Sequence, residues 1–354
     1  MRAWAEREAS DWDEVGRLAK AARVAPLLYR AWRDERFAPV RLQRAVRRAY
    51  LQTARRNVAL LRELATAVAA LDVAGLPSIV LKGAALAESV YGNVALRPMV
   101  DVDLLVRRED LHAALTVLAG GGFTAATREP RVGAAAAFEN ELLLLKPGPL
   151  PVALEIHWSL FDSPYYQRHL HLDRCWAAAR PLRLGTTEAR MLDPISQLLH
   201  LCGHLVLHHG GTDLLWEHDI AECIAVYGAE LDWSALLDRA AEWKLIVAIQ
   251  SLLPRLAEEA GAPIPVAVIE RVRALRPTRE EQRIAGYLSA RERGVTRRFW
   301  NDLSSMNAWT DRVRYAWTHL FPSPAYMRER YGFRSPLLLP LYYSYRWLRG
   351  LGDR

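Results

Sequence analysis

The chain has 354 residues, 51% of them hydrophobic, enough to bury one full core or two. Its net charge of +7 favours anionic partners such as nucleotides, and permits nucleic acid without demanding it. Three cysteines, Cys175, Cys202 and Cys223, cannot all pair and lack Cys-x-x-Cys spacing, which speaks against a disulfide framework and a cysteine zinc site.

No apolar run approaches the ~20 residues of a membrane-spanning helix. The start, Met1 to Glu8, carries no apolar stretch of the signal-peptide kind, so the expected location is cytoplasmic. Lysine is scarce (Lys20, Lys82, Lys146 and Lys244), and the positive charge is almost all arginine.

In chain order, residues 1–37 suggest short helices over Asp13 to Ala21 and Ala25 to Glu35. Pro39 suits a helix start. From Val40 to Leu71, apolar residues Leu42, Val46, Ala49, Leu60, Leu64 and Leu71 recur on one helical face. Arg41, Arg44, Arg48, Arg55 and Arg62 line the other side, as a solvated face does.

Gly75 and Pro77 end this helix, and the texture turns to α/β. Strands are expected at Ser78 to Leu81, Val100 to Val106, Phe123 to Thr127, Ala137 to Leu145 and Val152 to Trp158. Helices are expected at Ala84 to Tyr91 and Glu109 to Leu118, with a loop from Gly92 to Met99. The turn-rich Lys146-Pro-Gly-Pro-Leu-Pro suits a hairpin between the last two strands. From Pro194 onward the pattern is helical: Ile195 to His209, Leu214 to Tyr227, Trp233 to Lys244, Leu245 to Glu259, and more through residue 320. The tail from Pro336 is apolar and aromatic and ends in arginines; packing onto the helical domain is favoured over contact with a membrane surface.

The expected architecture is therefore α+β. Residues 1–75 form an N-terminal helical region, 76–160 a small mixed-sheet core of about five strands, and 161–354 a C-terminal helical domain.

The chemistry concentrates in Asp101-Val-Asp103. On a strand, residues i and i+2 project the same way, so two carboxylates point together while Val102, Leu104 and Val106 fill the core side. Adjacent like charges repel unless a cation sits among them. Magnesium takes carboxylate and phosphate oxygens, and two such ions clamp the attacking and leaving oxygens of an in-line displacement.

Glu155 is the candidate third carboxylate, since it interrupts the apolar strand Val152-Ala-Leu-Glu-Ile-His-Trp, where a lone charge is costly. His157, two residues on and on the same face, is a supporting candidate. Lys82-Gly83 falls at a strand-to-helix junction, where exposed amides, a glycine and a lysine suit phosphate. Arg97, in the loop before Asp101, is a candidate for a triphosphate or for charge developing on phosphorus, with pairing to a surface carboxylate such as Glu88 as its structural alternative.

The segment Leu81-Lys-Gly, Arg97-Pro-Met-Val-Asp-Val-Asp-Leu-Leu-Val and Leu154-Glu-Ile-His-Trp resembles the uncharacterised nucleotidyltransferase family of bacteria, a branch of the DNA polymerase β-like nucleotidyltransferase superfamily. Leu198-Leu-His-Leu-Cys-Gly-His and Phe321-Pro-Ser-Pro-Ala-Tyr-Met-Arg-Glu-Arg-Tyr-Gly are also similar to it. The resemblance implies a nucleotidyltransferase fold, two-metal catalysis with magnesium, and an NTP donor, ATP foremost. It matches Asp101 and Asp103 to the paired metal ligands, Glu155 to the third, and Lys82-Gly83 to the phosphate-side turn. The acceptor it implies is a peptide or small molecule rather than nucleic acid, because family members occur beside genes for ribosomally made peptides. Gly83-Ala84 departs from the Gly-Ser or Gly-Gly of many superfamily members, and the gap to Asp101 is longer than theirs.

Two other readings are weaker. A non-catalytic scaffold of the same fold would not need all three carboxylates. An HD-type phosphohydrolase would use His218-Asp219, but its further ligands are not in evidence. His200, His204 and His208 present one helix face, a pattern more often packing than metal.

Overall fold

The computed structural model describes residues 12–33, 38–290 and 294–352. Met1 to Glu8 and residues 34 and 35 of the second expected helix lie outside them. The chain begins with α1 (Trp12–Ala21) and α2 (Ala25–Trp32), which close over the first half of α3 (Val40–Val73). Leu42, Val46, Leu60, Leu64 and Leu71 are buried as the spacing predicts, and the arginine stripe is exposed. One polar residue shares the buried face: Asn57.

A seven-stranded mixed sheet follows, in the order β3-β4-β5-β2-β1-β7-β6. Its strands are β1 (Ser78–Leu81), β2 (Val102–Val106), β3 (Thr124–Ala125), β4 (Glu141–Lys146), β5 (Val152–His157), β6 (Arg180–Leu184) and β7 (Thr187–Met191). Helix α4 (Lys82–Ser89) leaves β1 at once, and α5 (Leu111–Gly120) follows β2. The expected β4–β5 hairpin forms, antiparallel.

Three local expectations shift, each for a physical reason. Val100 and Asp101 precede β2 instead of opening it: Pro98 interrupts pairing, and Arg56 of α3 takes the Met99 and Val100 carbonyls with its guanidinium. Ala137 and Phe138, expected to open a strand, instead close α6 (Ala134–Phe138), in keeping with four successive alanines. Residues 180–191, expected in a helical domain, instead form the β6–β7 hairpin that extends the sheet past residue 160. Leu182, Leu184, Ala189 and Met191 alternate inward there, Gly185 turns the chain at positive φ, and Met191 pairs with Val80 of β1.

The pleat divides β2 between two cores. Val102, Leu104 and Val106 pack with Val80, Leu154 and Ile156 against α3 and α5. Ile79, Leu81 and Leu105 belong to a second core that continues into the C-terminal helices. Those helices begin with the short α7 (Pro164–Gln167) and α8 (Leu172–Ala177), then α9 (Pro194–His209) and α10 (Leu214–Tyr227), N-capped by Asp193 and Asp213. They continue with α11 (Trp233–Glu242), α12 (Ile246–Glu259), α13 (Val266–Ala274), α14 (Arg279–Ser289), α15 (Val295–Ser305), α16 (Trp309–Leu320), α17 (Pro324–Tyr331) and α18 (Leu339–Gly352).

Candidate functional site

Parallel pairing of β2 with β5 sets Asp103 beside Glu155, and Leu105 beside His157. Strand alternation turns Asp103 away from the α3 core, so a carboxylate from each strand projects on the side of the C-terminal helices. Among the described residues, Asp103, Glu155 and His157 form the group able to hold a metal ion, their nearest ligand atoms lying within 4.8 Å of one another.

Lys82 already supplies positive charge there. Its Nζ donates to Asp103 Oδ1 at 2.7 Å and to Glu155 Oε2 at 3.4 Å. Lys82 adopts positive φ (45°), a conformation an L-residue takes at some cost, where the chain turns from β1 into α4. Burial works against the charge on this ammonium, but Asp103, Glu155 and Glu141 outweigh it and raise its pKa. Burial likewise disfavours ionised Asp103, yet Lys82 and His157 hold its pKa well below the ordinary carboxylate range.

His157 is buried, with Nε2 3.0 Å from Asp103 Oδ1 and 3.5 Å from Glu155 Oε2. Its Nδ1 lies 3.1 Å from Glu141 Oε2 without a well-directed hydrogen bond. Burial opposes charge on the ring, and the bonds to Asp103 and Glu155 overcome it, so its pKa is raised.

Asp101 stands one residue before β2, half-buried. Burial first, then the charges of Asp103 and Glu155, push its carboxyl up to about 6. Asp101 thus lies within electrostatic reach of Asp103 and Glu155 but outside the group formed by Asp103, Glu155 and His157. This donor set, rich in oxygen and short of positive charge, fits a divalent cation.

Arg97 is a buried side chain, and the carboxylate it pairs with is Asp219, not the surface Glu88. Its guanidinium donates to Asp219 of α10, Nη2 to Oδ2 at 2.9 Å and Nε to Oδ2 at 3.2 Å, while Tyr91 Oη donates to Asp219 Oδ1 at 2.7 Å. Burial opposes this charge too, and Asp219 more than offsets it, raising the pKa. The same guanidinium explains Gly83: a Cβ there would meet Arg97 Nη1 at 2.2 Å. The glycine makes room for Arg97, where the sequence suggested room for phosphate.

With Asp219 so engaged, His218-Asp219 is not the ligand pair of an HD site; His218 Nε2 lies 3.6 Å from Glu222 instead. The histidine row of α9 packs among rings. His200 stands edge-on to Phe161, and His204 stacks on Trp216 at 4.5 Å between centroids.

Several contributors escape the sequence reading. Asn57 Nδ2 donates to the Val94 and Arg97 carbonyls, at 2.5 and 2.7 Å. With Arg56 it clamps the loop that delivers Asp101. The clue was present: a lone amide three residues before Leu60 on the apolar face of α3. Beyond Glu141 opens a polar cavity of about 320 Å³, bordered by Glu139, Asp162, His208, Arg298 and His319. Arg298 Nη2 reaches Asp162 Oδ2 at 2.9 Å and Glu139 Oε2 at 3.4 Å.

The family model described as uncharacterised nucleotidyltransferase matches residues 8–259. The chain belongs to this family. It is accordingly a nucleotidyltransferase, a transferase by class. Among solved structures, it is similar to an antigenic nucleotidyltransferase-like protein from Paracoccidioides brasiliensis, with 17% identity and a TM-score of 0.37 over 60% of this chain and 97% of that one. No curated protein matches. No helix among the described residues is long and apolar enough to cross a membrane.

Proposed function

We propose that this nucleotidyltransferase moves NMP from an NTP, with ATP the preferred donor, to a hydroxyl or related nucleophile of a peptide or small-molecule acceptor, releasing pyrophosphate. Asp101, Asp103 and Glu155 hold two magnesium ions in this reading. The observation that carries it is the pairing of Asp103 with Glu155 across parallel strands, with Asp101 within electrostatic reach and its carboxyl pushed up to about 6. Bound magnesium supplies charge for the phosphate oxygens and lowers the pKa of a bound nucleophile.

The chain's own residues do the rest. His157 fixes Asp103 and Glu155 through Nε2 and helps keep Asp103 ionised. Lys82 holds the two carboxylates together and presents an ammonium at the start of α4, where a phosphate tail gains from both the charge and the helix N-terminus. Gly83 and the buried Arg97 keep that turn in place. Glu155 accepts the acceptor's proton. The acceptor enters by the polar cavity beside Glu141, whose neighbour in the ladder is His157. The buried, free cysteines suit a reducing compartment, in keeping with a cytoplasmic enzyme.

Magnesium-dependent release of pyrophosphate from ATP in the presence of cell extract tests this reading, with Asp103→Asn as control. Labelling of an extract component by the wild type and not by the variant supports it. Equal labelling by both, or none by either, counts against it.

A further inference from the structure

The C-terminal end of the chain keeps a second apolar surface that its own core does not use. Helix α16 buries Tyr315 and Thr318 and packs His319 toward Phe138 and Phe299. Its other side presents Trp309, Val313, Trp317 and Leu320 at spacings of four, four and three, and all are exposed, Trp309 at 72%. An amphipathic surface helix turns polar residues outward; this one turns tryptophan and aliphatic side chains outward.

Helix α18 repeats the arrangement. Tyr342 stacks on Phe333, while Leu341, Tyr345 and Leu348 form an outer stripe that continues back to Leu337. Leu341 and Leu348 are 66% and 69% exposed. The sequence favoured packing of this tail onto the helical domain, and the structure leaves the stripe uncovered.

The two stripes lie on helices that are tied to each other. Trp347 Nε1 donates to the Leu320 carbonyl at 2.9 Å, Arg346 Nε to the His319 carbonyl at 3.3 Å, and Tyr343 Oη to the Pro322 carbonyl. Phe321 packs edge-on against Trp347.

Charge identifies the occupant. Residues 309–354 hold eight arginines against three acidic residues, +5 of the whole chain's +7. Arg312, Arg314, Arg328, Arg330, Arg334 and Arg349 are exposed around the stripes. A second copy would set this positive charge against itself. A nucleic acid would satisfy the arginines but offer nothing to exposed leucine and valine. An anionic lipid surface satisfies both, with tryptophan and tyrosine at headgroup depth, leucine below and arginine on the phosphates.

We propose that the exposed stripes of α16 and α18 dock the enzyme on anionic membrane surfaces. The proposal stands apart from the catalytic reading and lies outside the residues the family model matches. Co-sedimentation of the full chain with phosphatidylcholine vesicles, and with vesicles containing about one-third phosphatidylglycerol, tests it. The anionic vesicles are expected to bind, neutral ones to bind far more weakly, and added salt to reduce binding.

Trp309→Ser/Leu341→Ser/Leu348→Ser should weaken binding by ~10-fold or more with the unfolding temperature unchanged, because these side chains contribute little to the fold. Arg328→Glu/Arg330→Glu/Arg334→Glu should abolish the preference for anionic lipid. The proposal is overturned by three results: no binding to anionic vesicles at low salt, binding that neither set of substitutions alters, or self-association in size-exclusion chromatography that the serine substitutions remove without any vesicle binding.

Discussion

Arg97 and Asp219 form a buried ion pair between the loop that leads to Asp101 and helix α10, 122 residues further along the chain. A buried pair broken on one side leaves an uncompensated charge, which typically costs ~3–5 kcal/mol. Asp219→Ala and Arg97→Ala are each expected to lower stability by that order in urea denaturation, and to lower turnover by displacing the loop. The paired apolar replacement Arg97→Met/Asp219→Leu should regain most of the stability. A stable Arg97→Ala variant with an altered KM for ATP alone would place Arg97 on substrate instead.

Asp101→Asn and Asp103→Asn should each reduce transfer by ~100-fold or more, the scale of losing one preorganised electrostatic contributor. Circular dichroism should show the fold intact in both. Near-full magnesium-dependent turnover in either variant would refute the assignment of that residue.

The pH dependence of metal binding follows from Asp101. Its carboxyl, held at about 6, carries a proton below that pH, and a cation must displace it. Magnesium affinity should therefore fall by up to ~10-fold per unit below about pH 6. Calorimetry in buffers of different ionisation enthalpy should record more protons released on binding at about pH 5 than at about pH 8. Stability of the metal-free protein carries the opposite sign. The folded form holds this proton more tightly than the unfolded chain, so the contribution is present below the ordinary value of 3.8 and is lost as pH rises through 6.

Lys82 lies where positive charge is in demand, so it opposes the entry of a second cation. Lys82→Ala is expected to bind manganese more tightly than the wild type by ~10-fold, while its KM for ATP rises because the phosphate tail loses its ammonium. Weaker manganese binding in Lys82→Ala would mean that the lysine preorganises the carboxylates more than it competes with metal.

Gly83→Ala places a methyl group 2.2 Å from Arg97 Nη1. The buried guanidinium has to move, so the expected loss is ~1–3 kcal/mol of stability with reduced activity. Combining it with Arg97→Met should relieve the clash, and thermal unfolding of the single and double variants measures the coupling.

What the sequence reveals here is what local pattern controls. Alternation in Val102 to Val106 and in Val152 to His157 dictates which side chains share a face, so Asp103, Glu155 and His157 meet as the spacing implies. The 3.6-residue period of α3 does the same for Leu60, Leu64 and Leu71. Long-range partners leave no such trace. Arg97 before a carboxylate strand looks like a phosphate ligand until α10 brings Asp219 to it. The β6–β7 hairpin is hidden because its outward positions are arginine and glutamate, and each strand buries only two side chains. Asp101 falls outside the strand because Arg56 captures carbonyls that a strand would use, an event invisible to any single-segment pattern.

The loop from Val94 to Val100 receives its position from two directions, Arg56 and Asn57 on one side and Asp219 on the other. In a genetic screen for loss of function, lesions at these three positions would be recovered beside lesions at Asp101 and Asp103, although none of the three touches a reacting atom in the proposed mechanism. The two groups would separate under suppression. Alleles at 56, 57 and 219 would behave as temperature-sensitive, and general stabilising substitutions elsewhere would rescue them. Alleles at the carboxylates would stay null in any background.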